Sequence, residues 1–570
     1  MCDAKVRRHW KIAPPNRWQM VAIPLTIGTY WAPNCPSQVL AADSPQALTA
    51  TGDTTLPEVA VGLHPIDWVL IGMYALSTIG LGWFYSRRQE STQEYFVGSR
   101  HMNPLLIGVS LFATLLSTIS YLSVPGEVLG KGPVILVSKL ALPVAFVFVA
   151  YVLLPIYMRQ RVTSAYELLE VKLGLGIRLL GAIMFIALRL VWMSLLVYLA
   201  AKAIIVMLGV DAKWVPLVVL VTGSVAVTYT TLGGLRAVVI TDLLQTLLLF
   251  GGAWMVIASV SWELGGFGWL PTQWHENWDT QPISSWDPQT RITLVGSFLT
   301  TLVWFVCTAG GDQTSVQRFM ATEDARAARR AYGTQILVSI VVTITLGLVG
   351  FALLGYAEAN PDQLPTGMHL KANADDIFPW YIAYRLPVGV SGLVVSAMFA
   401  AAMSSIDSGV NSITAVVTTD FLDRFGFQSQ TEKGHVRTAQ LLALSIGIVV
   451  VIGSSFMEYI PGNIMAVTNK TTNLLVSPIF CLFFFAIFVP FAKPAGVLLG
   501  ALCGIATAAL IAFSGPIFGV DPETGLDPVS FQWIGPAALL VNIVVGTLAS
   551  LVLPGNGANQ SQPQRSPSHE

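Results

Sequence analysis

The chain alternates long apolar stretches with short polar segments over most of its length. The hydrocarbon core of a bilayer is about 30 Å thick, and a helix needs roughly 20 apolar residues to cross it. Stretches that meet this requirement predict an all-α membrane protein with about thirteen transmembrane helices. Their approximate bounds are 66–86, 104–129, 133–157, 179–208, 214–232, 237–261, 292–312, 332–356, 385–416, 438–456, 464–490, 495–515 and 533–553. Hydropathy alone could split one of them at the "GGDQ" of 310–313.

Lys and Arg are concentrated in every second loop between these stretches. The basic residues concerned are Arg87, Arg88, Arg100, Arg159, Arg161, Lys172, Arg178, Arg236, Arg318, Arg326, Arg329, Arg330, Arg424, Lys433, Arg437 and Lys493. Short cytoplasmic loops carry an excess of such residues, so this pattern predicts an outside amino terminus and a cytoplasmic carboxyl terminus in the cell membrane.

Both ends of the chain differ from the apolar middle. Basic residues precede a modest apolar stretch at 18–31 and the small residues of "SQVLAADS", a pattern that predicts a signal peptide over about 1–42. Pro24 interrupts the apolar stretch, and an uncleaved extension is the alternative. The Ser-, Pro- and Gln-rich residues 555–570 predict a disordered tail.

Composition agrees with a polytopic membrane protein, since 54% of the residues are hydrophobic and 11% are charged. The net charge of −1 argues against nucleic acid as a partner. The five cysteines are scattered and form neither a disulfide framework nor a metal-ligand spacing. The lipid bilayer is the partner that this composition predicts.

Ionisable side chains inside a bilayer cost at least about 2.5 to 3.5 kcal/mol each, so each one is a candidate functional residue. The candidates in the predicted helices are Asp67, Glu127, Lys139, Arg189, Asp242, Asp312, Asp407 and Lys470. Asp67 lies near a helix end, where a polar side chain is expected to reach water.

One predicted helix contains the polar segment "AAMSSIDSGVNS", 401–412. The helical period places Ser404, Asp407 and Ser408 on one face. Hydroxyl and carboxylate oxygens of this kind suit a hard cation such as sodium. Alternatively, the serines bond back to carbonyls one turn earlier and allow close helix packing. Packing does not require a carboxylate, so Asp407 favours the ion.

Two other predicted helices are interrupted by polar or glycine residues. In "YTTLGGLRAVVITDLLQ", Gly233 and Gly234 predict a break, and Asp242 lies about two turns into the next helix without a local partner. Ser, Thr, Pro125 and Gly126 crowd the span in "FATLLSTISYLSVPGE", 112–127. Such interruptions are tolerated where a helix unwinds to line a cavity.

At these three stretches the sequence resembles the sodium/solute symporter family, which includes sodium/glucose, iodide, multivitamin and monocarboxylate carriers. "TSAYELLEV" at 163–171 and "GGDQTSVQRFMA" at 310–321 are further similar segments. The resemblance implies the leucine-transporter fold. One leading helix and two inverted five-helix repeats would occupy 65–490, and accessory helices 491–554.

The resemblance also implies a sodium site, without an organic cofactor. Its ligands would be the backbone carbonyls of Ala113 and Leu116, together with Ala401 and the hydroxyls of Ser404 and Ser405.

A second ion site is implied for some members of the family, and its matching positions here are Ser404, Asp242, Asp407 and Ser408. Because several relatives have serine in place of Asp407, that carboxylate could strengthen a second sodium site or bind a proton. The ion count stays open.

For the solute, Lys139 and Lys470 fall where sugar carriers place polar contacts. Two lysines there suggest an anionic solute such as a small carboxylate, because an ammonium in a dry cavity needs a counter-charge. Arg189 is a further cation, and Thr308 matches a gating position. The alternative is that each lysine pairs permanently with Glu127, Asp312 or a carbonyl, which would suit a sugar or another neutral solute.

The resulting prediction is a sodium-coupled symporter that works as a monomer and performs no covalent chemistry. An intramembrane enzyme is the rival class, but all seven histidines lie in predicted loops or tails. A channel on the same scaffold would instead show sodium-independent, non-saturating flux.

Overall fold

The computed structural model describes ten segments of the chain. They are 62–86, 95–96, 98–116, 118–160, 162–280, 282–365, 367–427, 431–459, 464–522 and 525–553. These segments are helical and contain no strand. The predicted leader, 1–42, and tail, 555–570, lie outside them.

The helices are numbered here in chain order. Their bounds are α1 Pro65–Ser86, α2 Pro104–Leu115, α3 Thr118–Lys131, α4 Pro133–Gln160, α5 Glu167–Leu173, α6 Leu175–Leu208, α7 Val215–Glu263, α8 Leu294–Gly311, α9 Gln313–Met320, α10 Ala325–Ala359, α11 Ala374–Tyr384, α12 Val390–Asp423, α13 Glu432–Ser454, α14 Ile464–Phe488, α15 Pro494–Ala512, α16 Ser514–Phe518 and α17 Ile534–Val552.

Among the described residues, eleven helices are long and apolar enough to cross a membrane, and twelve if the bent pair α2–α3 is one span. The all-helical, membrane-spanning class is therefore confirmed. A shorter apolar helix, Ala212–Thr228, overlaps the first part of α7 at the place of the span predicted at 214–232. The predicted break is at Gly234, which has φ 62° and ψ 176°. Residues with a Cβ rarely adopt this conformation.

One span is broken in its middle, and another ends at a break. Helices α2 and α3 meet at an angle of 66°, and Leu116 ends α2 in an extended conformation. Helices α8 and α9 are separated by Asp312, whose carboxylate accepts a hydrogen bond from the Thr314 amide at 2.8 Å and so caps α9. Each break leaves backbone groups that have no partner in their own helix.

Asp67 fixes the leading helix α1 to the start of α12. Its Oδ1 accepts hydrogen bonds from the amides of Gly389 and Gly392, both at 2.8 Å, and its Oδ2 accepts one from His64. The side chain is buried, so the expectation that it reaches water is wrong. A carboxylate at a helix amino terminus is stabilised by the free amides and by the helix dipole.

One end of the bundle is closed by a network of ion pairs, and we call it the Arg178 end. Arg178 forms ion pairs with Asp420 and Glu170, both at 2.6 Å, and Arg424 binds Glu170 at 2.8 Å. The hydrogen bond from Arg424, assisted by Arg178, lowers the pKa of the Glu170 carboxyl despite some burial. Ser164 donates a hydrogen bond to Asp420.

The segment 163–171 packs over the α8–α9 break at this same end. Gln313 accepts a hydrogen bond from the Ala165 amide at 2.7 Å and donates one to the Thr163 carbonyl at 2.8 Å. The Tyr166 hydroxyl donates to the Gly311 carbonyl. The segment therefore seals the bundle between α6, α9 and α12.

The opposite end carries the long segment between α7 and α8, and we call it the Trp278 end. The Trp278 indole donates a hydrogen bond to the Leu129 carbonyl at 3.2 Å. Arg291 forms a two-point ion pair with Glu127, with distances of 2.6 and 2.7 Å. Glu127 is therefore not the counter-charge of a lysine.

Small residues allow α15 and α17 to pack closely, as is common in membranes. A Cβ added to Gly500 would lie 2.8 Å from the Asn542 carbonyl oxygen and 2.8 Å from the Gly546 Cα. Both neighbours are backbone atoms, which cannot move aside without shifting a helix.

Gly500→Leu is therefore expected to destabilise the protein by about 1 to 3 kcal/mol, since it overpacks this contact. Thermal unfolding of the purified protein in detergent measures the effect. Gly251→Leu is the matched control, because a Cβ there meets nothing within 4 Å. Equal unfolding temperatures for the two variants would contradict this packing.

Candidate functional site

The two serines of α12 meet the broken end of α2. Ser404 Oγ donates a hydrogen bond to the Ala113 carbonyl at 2.7 Å and contacts the Ala401 carbonyl at 3.3 Å. Ser405 Oγ donates to the Thr114 carbonyl at 3.0 Å and lies 3.5 Å from the Leu116 carbonyl. Both serines are 1% exposed.

The structure thus brings all five predicted sodium-site residues into one cluster. The carbonyls of α2 are available because the helix ends at Leu116 and cannot bond to a following turn. Hydroxyl and carbonyl oxygens are the donors that hard cations prefer. The donor set therefore fits an alkali cation, and Thr114 is an additional carbonyl that the sequence did not single out.

Asp242, Ser408 and a buried arginine form a neighbouring cluster. Arg318 Nη2 donates a hydrogen bond to Ser408 Oγ and lies 3.6 Å from Asp242 Oδ2. Its Nε donates to Ser110 Oγ at 2.8 Å, and Ser110 donates to Asp242 Oδ2 at 2.5 Å. Thr114 Oγ1 lies 2.8 Å from Ser408 Oγ.

Arg318 corrects the sequence interpretation, which placed it in a basic cytoplasmic loop. It lies in α9, is 1% exposed and reaches the centre of the bundle. The "GGDQ" break is the cause, because it ends α8 early and leaves α9 inside the protein. Asp407 is also fully buried, one turn from Ser404 on α12.

Lys139 lines a cavity of about 190 Å³ in the middle of the bundle. It is the single charged residue among the described residues of the wall, and its Nζ lies 5.9 Å from the centre of the Phe305 ring. Leu116 belongs both to this wall and to the serine cluster. Ile292 and Phe531 extend the wall towards the Trp278 end.

Most of the other polar groups of this wall were missed by sequence reasoning. They are hydroxyl, amide and indole groups on six helices: Ser120, Ser138, Trp192, Ser297, Thr300, Thr301, Gln335, Ser339, Thr343, Thr468, Asn469 and Thr472. The spacing of Gln335, Ser339 and Thr343 is four residues, which gives one polar stripe on the apolar helix α10. This stripe is the sequence pattern from which the cavity-lining face of α10 could have been predicted. Gln335 Oε1 and Trp192 Nε1 have no hydrogen-bond partner among the described residues.

Lys470 does not face the same cavity as Lys139. Its Nζ forms an ion pair with Asp527 Oδ2 at 2.7 Å, and both line a separate cavity of about 1010 Å³ near Arg291. The expectation of two lysines in one cavity is therefore wrong for this conformation. The reason is that the polar segment before α17 folds back onto α14 and supplies the counter-charge.

Arg189 and Thr308 lie outside the wall of the central cavity. Arg189 forms a buried ion pair with Asp312 at the α8–α9 break, and each side chain is 6% exposed. Thr308 is 2% exposed in the last turn of α8. These positions favour structural roles over direct solute contact in this conformation.

A family model described as the sodium:solute symporter family matches residues 95–504. The chain belongs to this family. It is thus a membrane transporter and not an enzyme, and the resemblance drawn from its motifs is confirmed.

Similar family members carry different solutes according to their names. The chain is 26% identical to the sodium/sialic acid symporter SiaT of Proteus mirabilis, over 85% of this chain and 95% of that protein. It is 28% identical to the sodium-coupled monocarboxylate transporter 1 of Mus musculus, over 82% of this chain and 76% of that protein. It is 27% identical to the human sodium/iodide cotransporter, over 87% of this chain and 76% of that protein.

One solved structure has the same fold. It is described as a substrate-bound outward-open state of a Na⁺-coupled sialic acid symporter with a novel Na⁺ site. The TM-score is 0.73 at 24% identity, and the match covers 86% of this chain and 99% of that one. These relatives are named for three different solutes. The solute of this chain must therefore be inferred from the residues of its own cavity.

Because Arg189 and Asp312 are paired and buried, Arg189→Gln is expected to destabilise the protein by about 3 to 5 kcal/mol. The double variant Arg189→Gln/Asp312→Asn should recover most of this loss, since it leaves no uncompensated charge. Thermal unfolding of the single and double variants measures the coupling. An Arg189→Gln protein of normal stability that no longer binds solute would instead make Arg189 a ligand.

Proposed function

We propose that this protein imports a small organic anion, a carboxylate, together with sodium through the central cavity. The first sodium binds the carbonyls of Ala113, Leu116 and Ala401 and the hydroxyls of Ser404 and Ser405. The observation that carries the proposal is the position of Leu116, which belongs both to this oxygen cluster and to the cavity that holds Lys139. An ion at the cluster can therefore shape the wall that contacts the solute.

The difference between the two ends of the bundle supports import from outside the cell. The Arg178 end is sealed by ion pairs, whereas the central cavity extends towards the Trp278 end. If the positively charged end is cytoplasmic, as its Lys and Arg content predicts, this conformation loads from outside. Sodium entering the cell gains about 2.3 kcal/mol per 100 mV of membrane potential, which is enough to drive accumulation of solute.

Several finer features belong to the proposal. They are the two inverted five-helix repeats, the outside amino terminus, the cytoplasmic carboxyl terminus and the monomeric state. The second ion, for which Asp242, Asp407 and Ser408 are the predicted residues, also belongs here. Lys139 is the predicted solute contact that lies in the wall of the central cavity.

A neutral solute is the second candidate, and one observation favours it. Lys139 lies beside the Phe305 ring, a cation–π contact that could hold the ammonium without a solute anion. The remaining polar wall of hydroxyl and amide groups would suit a sugar. Screening carboxylates, sugars and amino acids by thermal shift, with and without sodium, separates the two candidates.

Ser404→Ala is expected to weaken sodium binding at least about tenfold, since it removes one ligand and costs about 1.4 kcal/mol or more. Sodium titration of the thermal shift measures this. Ser396→Ala is the matched control on the same helix, because the Ser396 hydroxyl bonds to the Gly392 carbonyl of its own helix at 2.7 Å. Unchanged sodium affinity in Ser404→Ala would remove this site.

Lys139→Gln is expected to weaken carboxylate uptake at least about thirtyfold, because losing the partner of a buried charge costs more than about 2 kcal/mol. Uptake of radiolabelled solute into proteoliposomes measures the effect. Lys470→Gln should weaken uptake less, since Lys470 already has Asp527 as its partner. Normal carboxylate uptake by Lys139→Gln would remove Lys139 as the solute contact.

A further inference from the structure

The larger cavity, of about 1010 Å³, has no part in the proposed transport route, and we call it the Lys470 cavity. It lies between α6, α14, the end of α15 with α16, and the segment before α17. Pockets that bind small organic ligands usually have volumes of roughly 300 to 1,000 Å³. The Lys470 cavity is therefore large enough for an organic ligand of its own.

Most of the wall of the Lys470 cavity is apolar. Val191 on α6, Phe513 after α15 and Val520 in the segment before α17 are exposed side chains of this wall. Leu188 and Leu474 line the same space. The wall of the central cavity, by contrast, is rich in hydroxyl and amide groups. An apolar ligand body in the Lys470 cavity would cover these side chains, which is favourable wherever they face water.

The charged residues described in this wall are Lys131, Arg291, Lys470 and Asp527. Two of the three cations already have a partner. Arg291 forms its two-point ion pair with Glu127, and Lys470 forms one with Asp527 at 2.7 Å. The described part of the wall therefore retains one unbalanced positive charge, that of Lys131.

Lys131 is the last residue of α3 and is partly buried. Its ammonium forms neither an ion pair nor a hydrogen bond with the described residues. The carboxylates that act on it from a greater distance are Glu127, Asp279 and Asp375. Glu127 and Asp279 already contact Arg291. A partly buried ammonium without a partner is stabilised by an anion that accepts its hydrogen bonds.

Asp527 is a carboxylate that a lysine already holds in this cavity. The pair is not sealed off, since the side chains of Lys470 and Asp527 are 16% and 25% exposed. The segment that carries Asp527 is fixed nearby, because Ser530 Oγ donates a hydrogen bond to the Arg291 carbonyl at 2.6 Å and the Ser530 amide donates one to the Pro288 carbonyl at 2.8 Å. The cavity thus contains one lysine that has a carboxylate and one that lacks it.

We propose that the Lys470 cavity binds an amphiphilic organic monoanion, namely a carboxylate with an apolar body. The carboxylate binds Lys131, and the apolar body packs against α6, α14 and Phe513. One negative charge matches the one cation without an ion pair, and the apolar wall favours a ligand without hydroxyl groups. This site is distinct from the central cavity and requires no sodium.

Phe531 connects this site with the transport route. Its side chain belongs to the walls of both cavities and is buried, so it lies between them. The Arg291 guanidinium lies 5.9 Å from the centre of its ring. A ligand in the Lys470 cavity would therefore lie against the side chain that separates this cavity from the central one.

Calorimetric titration of the full protein in phosphatidylcholine nanodiscs with 2-naphthoate tests the proposal. The unmodified protein should bind one 2-naphthoate in the absence of sodium. The alcohol 2-naphthalenemethanol has the same rings without the charge and should bind at least about tenfold more weakly. Benzoate has one ring fewer and should also bind more weakly than 2-naphthoate, because it covers less of the apolar wall.

Two variants should change the affinity for 2-naphthoate in opposite directions. Lys131→Gln should weaken binding at least about tenfold, because it removes the charge that the carboxylate meets. Asp527→Asn should strengthen binding, because it removes the negative charge of the wall and frees Lys470. A gain of affinity cannot come from a protein that fails to fold.

Lys371→Gln is the matched control, because Lys371 lies at the same end of the bundle, near Asp279, but outside this wall. It should bind 2-naphthoate normally. Normal binding by Lys131→Gln would overturn the proposal, as would equal affinity for the alcohol. Weaker binding in Lys139→Gln, with normal binding in Lys131→Gln, would place the ligand in the central cavity and would also overturn it.

The lipid of the nanodisc tests the other occupant that this chemistry allows. Complete loss of 2-naphthoate binding in phosphatidylglycerol discs, with binding in phosphatidylcholine discs, would assign the cavity to an anionic lipid and overturn the proposal. The proposed function is tested separately by the sodium titration of Ser404→Ala. Binding of 2-naphthoate that depends on Lys131 would stand even if that titration removed the sodium site.

Discussion

The hydrogen bonds between the serines of α12 and the end of α2 are the interaction on which the rest of the structure depends. A continuous helix would satisfy the carbonyls of Ala113 and Leu116 internally. The break after Leu116 removes that possibility, and Ser404 and Ser405 supply the missing donors from a distant part of the chain. Polar backbone at membrane depth is stable only when it is satisfied in this way.

Most of the buried charges elsewhere in the bundle form ion pairs with one another. Arg189 binds Asp312, Arg291 binds Glu127, and Arg178 binds Asp420. Pairs of this kind add little net stability but penalise any arrangement that separates them. They therefore hold the broken helices and the closed end in one arrangement, while Lys139 faces the central cavity beside an aromatic ring.

The sequence was sufficient for features that depend on local pattern. Apolar length predicts the spans, glycine predicts the bend at Gly234, and the small polar residues around Ser404 predict a helix face that contacts other oxygens. The family follows from motifs in the correct order, and the comparison with relatives confirms it.

Features that depend on distant partners could not be predicted. Lys470 reads as a cavity residue until the segment containing Asp527 folds back onto it. Arg318 reads as a loop residue because its partners, Ser110 and Ser408, are far away in the chain. Asp67 reads as a surface residue because Gly389 and Gly392 follow it by more than 300 positions.

The contact of Asp67 with the first turn of α12 also determines how the leading helix takes part in transport. Because two backbone amides and one carboxylate join them, α1 and α12 behave as a single mechanical piece at that end. A rotation of α12 would therefore be expected to move α1 within the surrounding lipid. A fluorophore on the lipid-facing side of α1, for instance at Leu76, would report the cycle from outside the core.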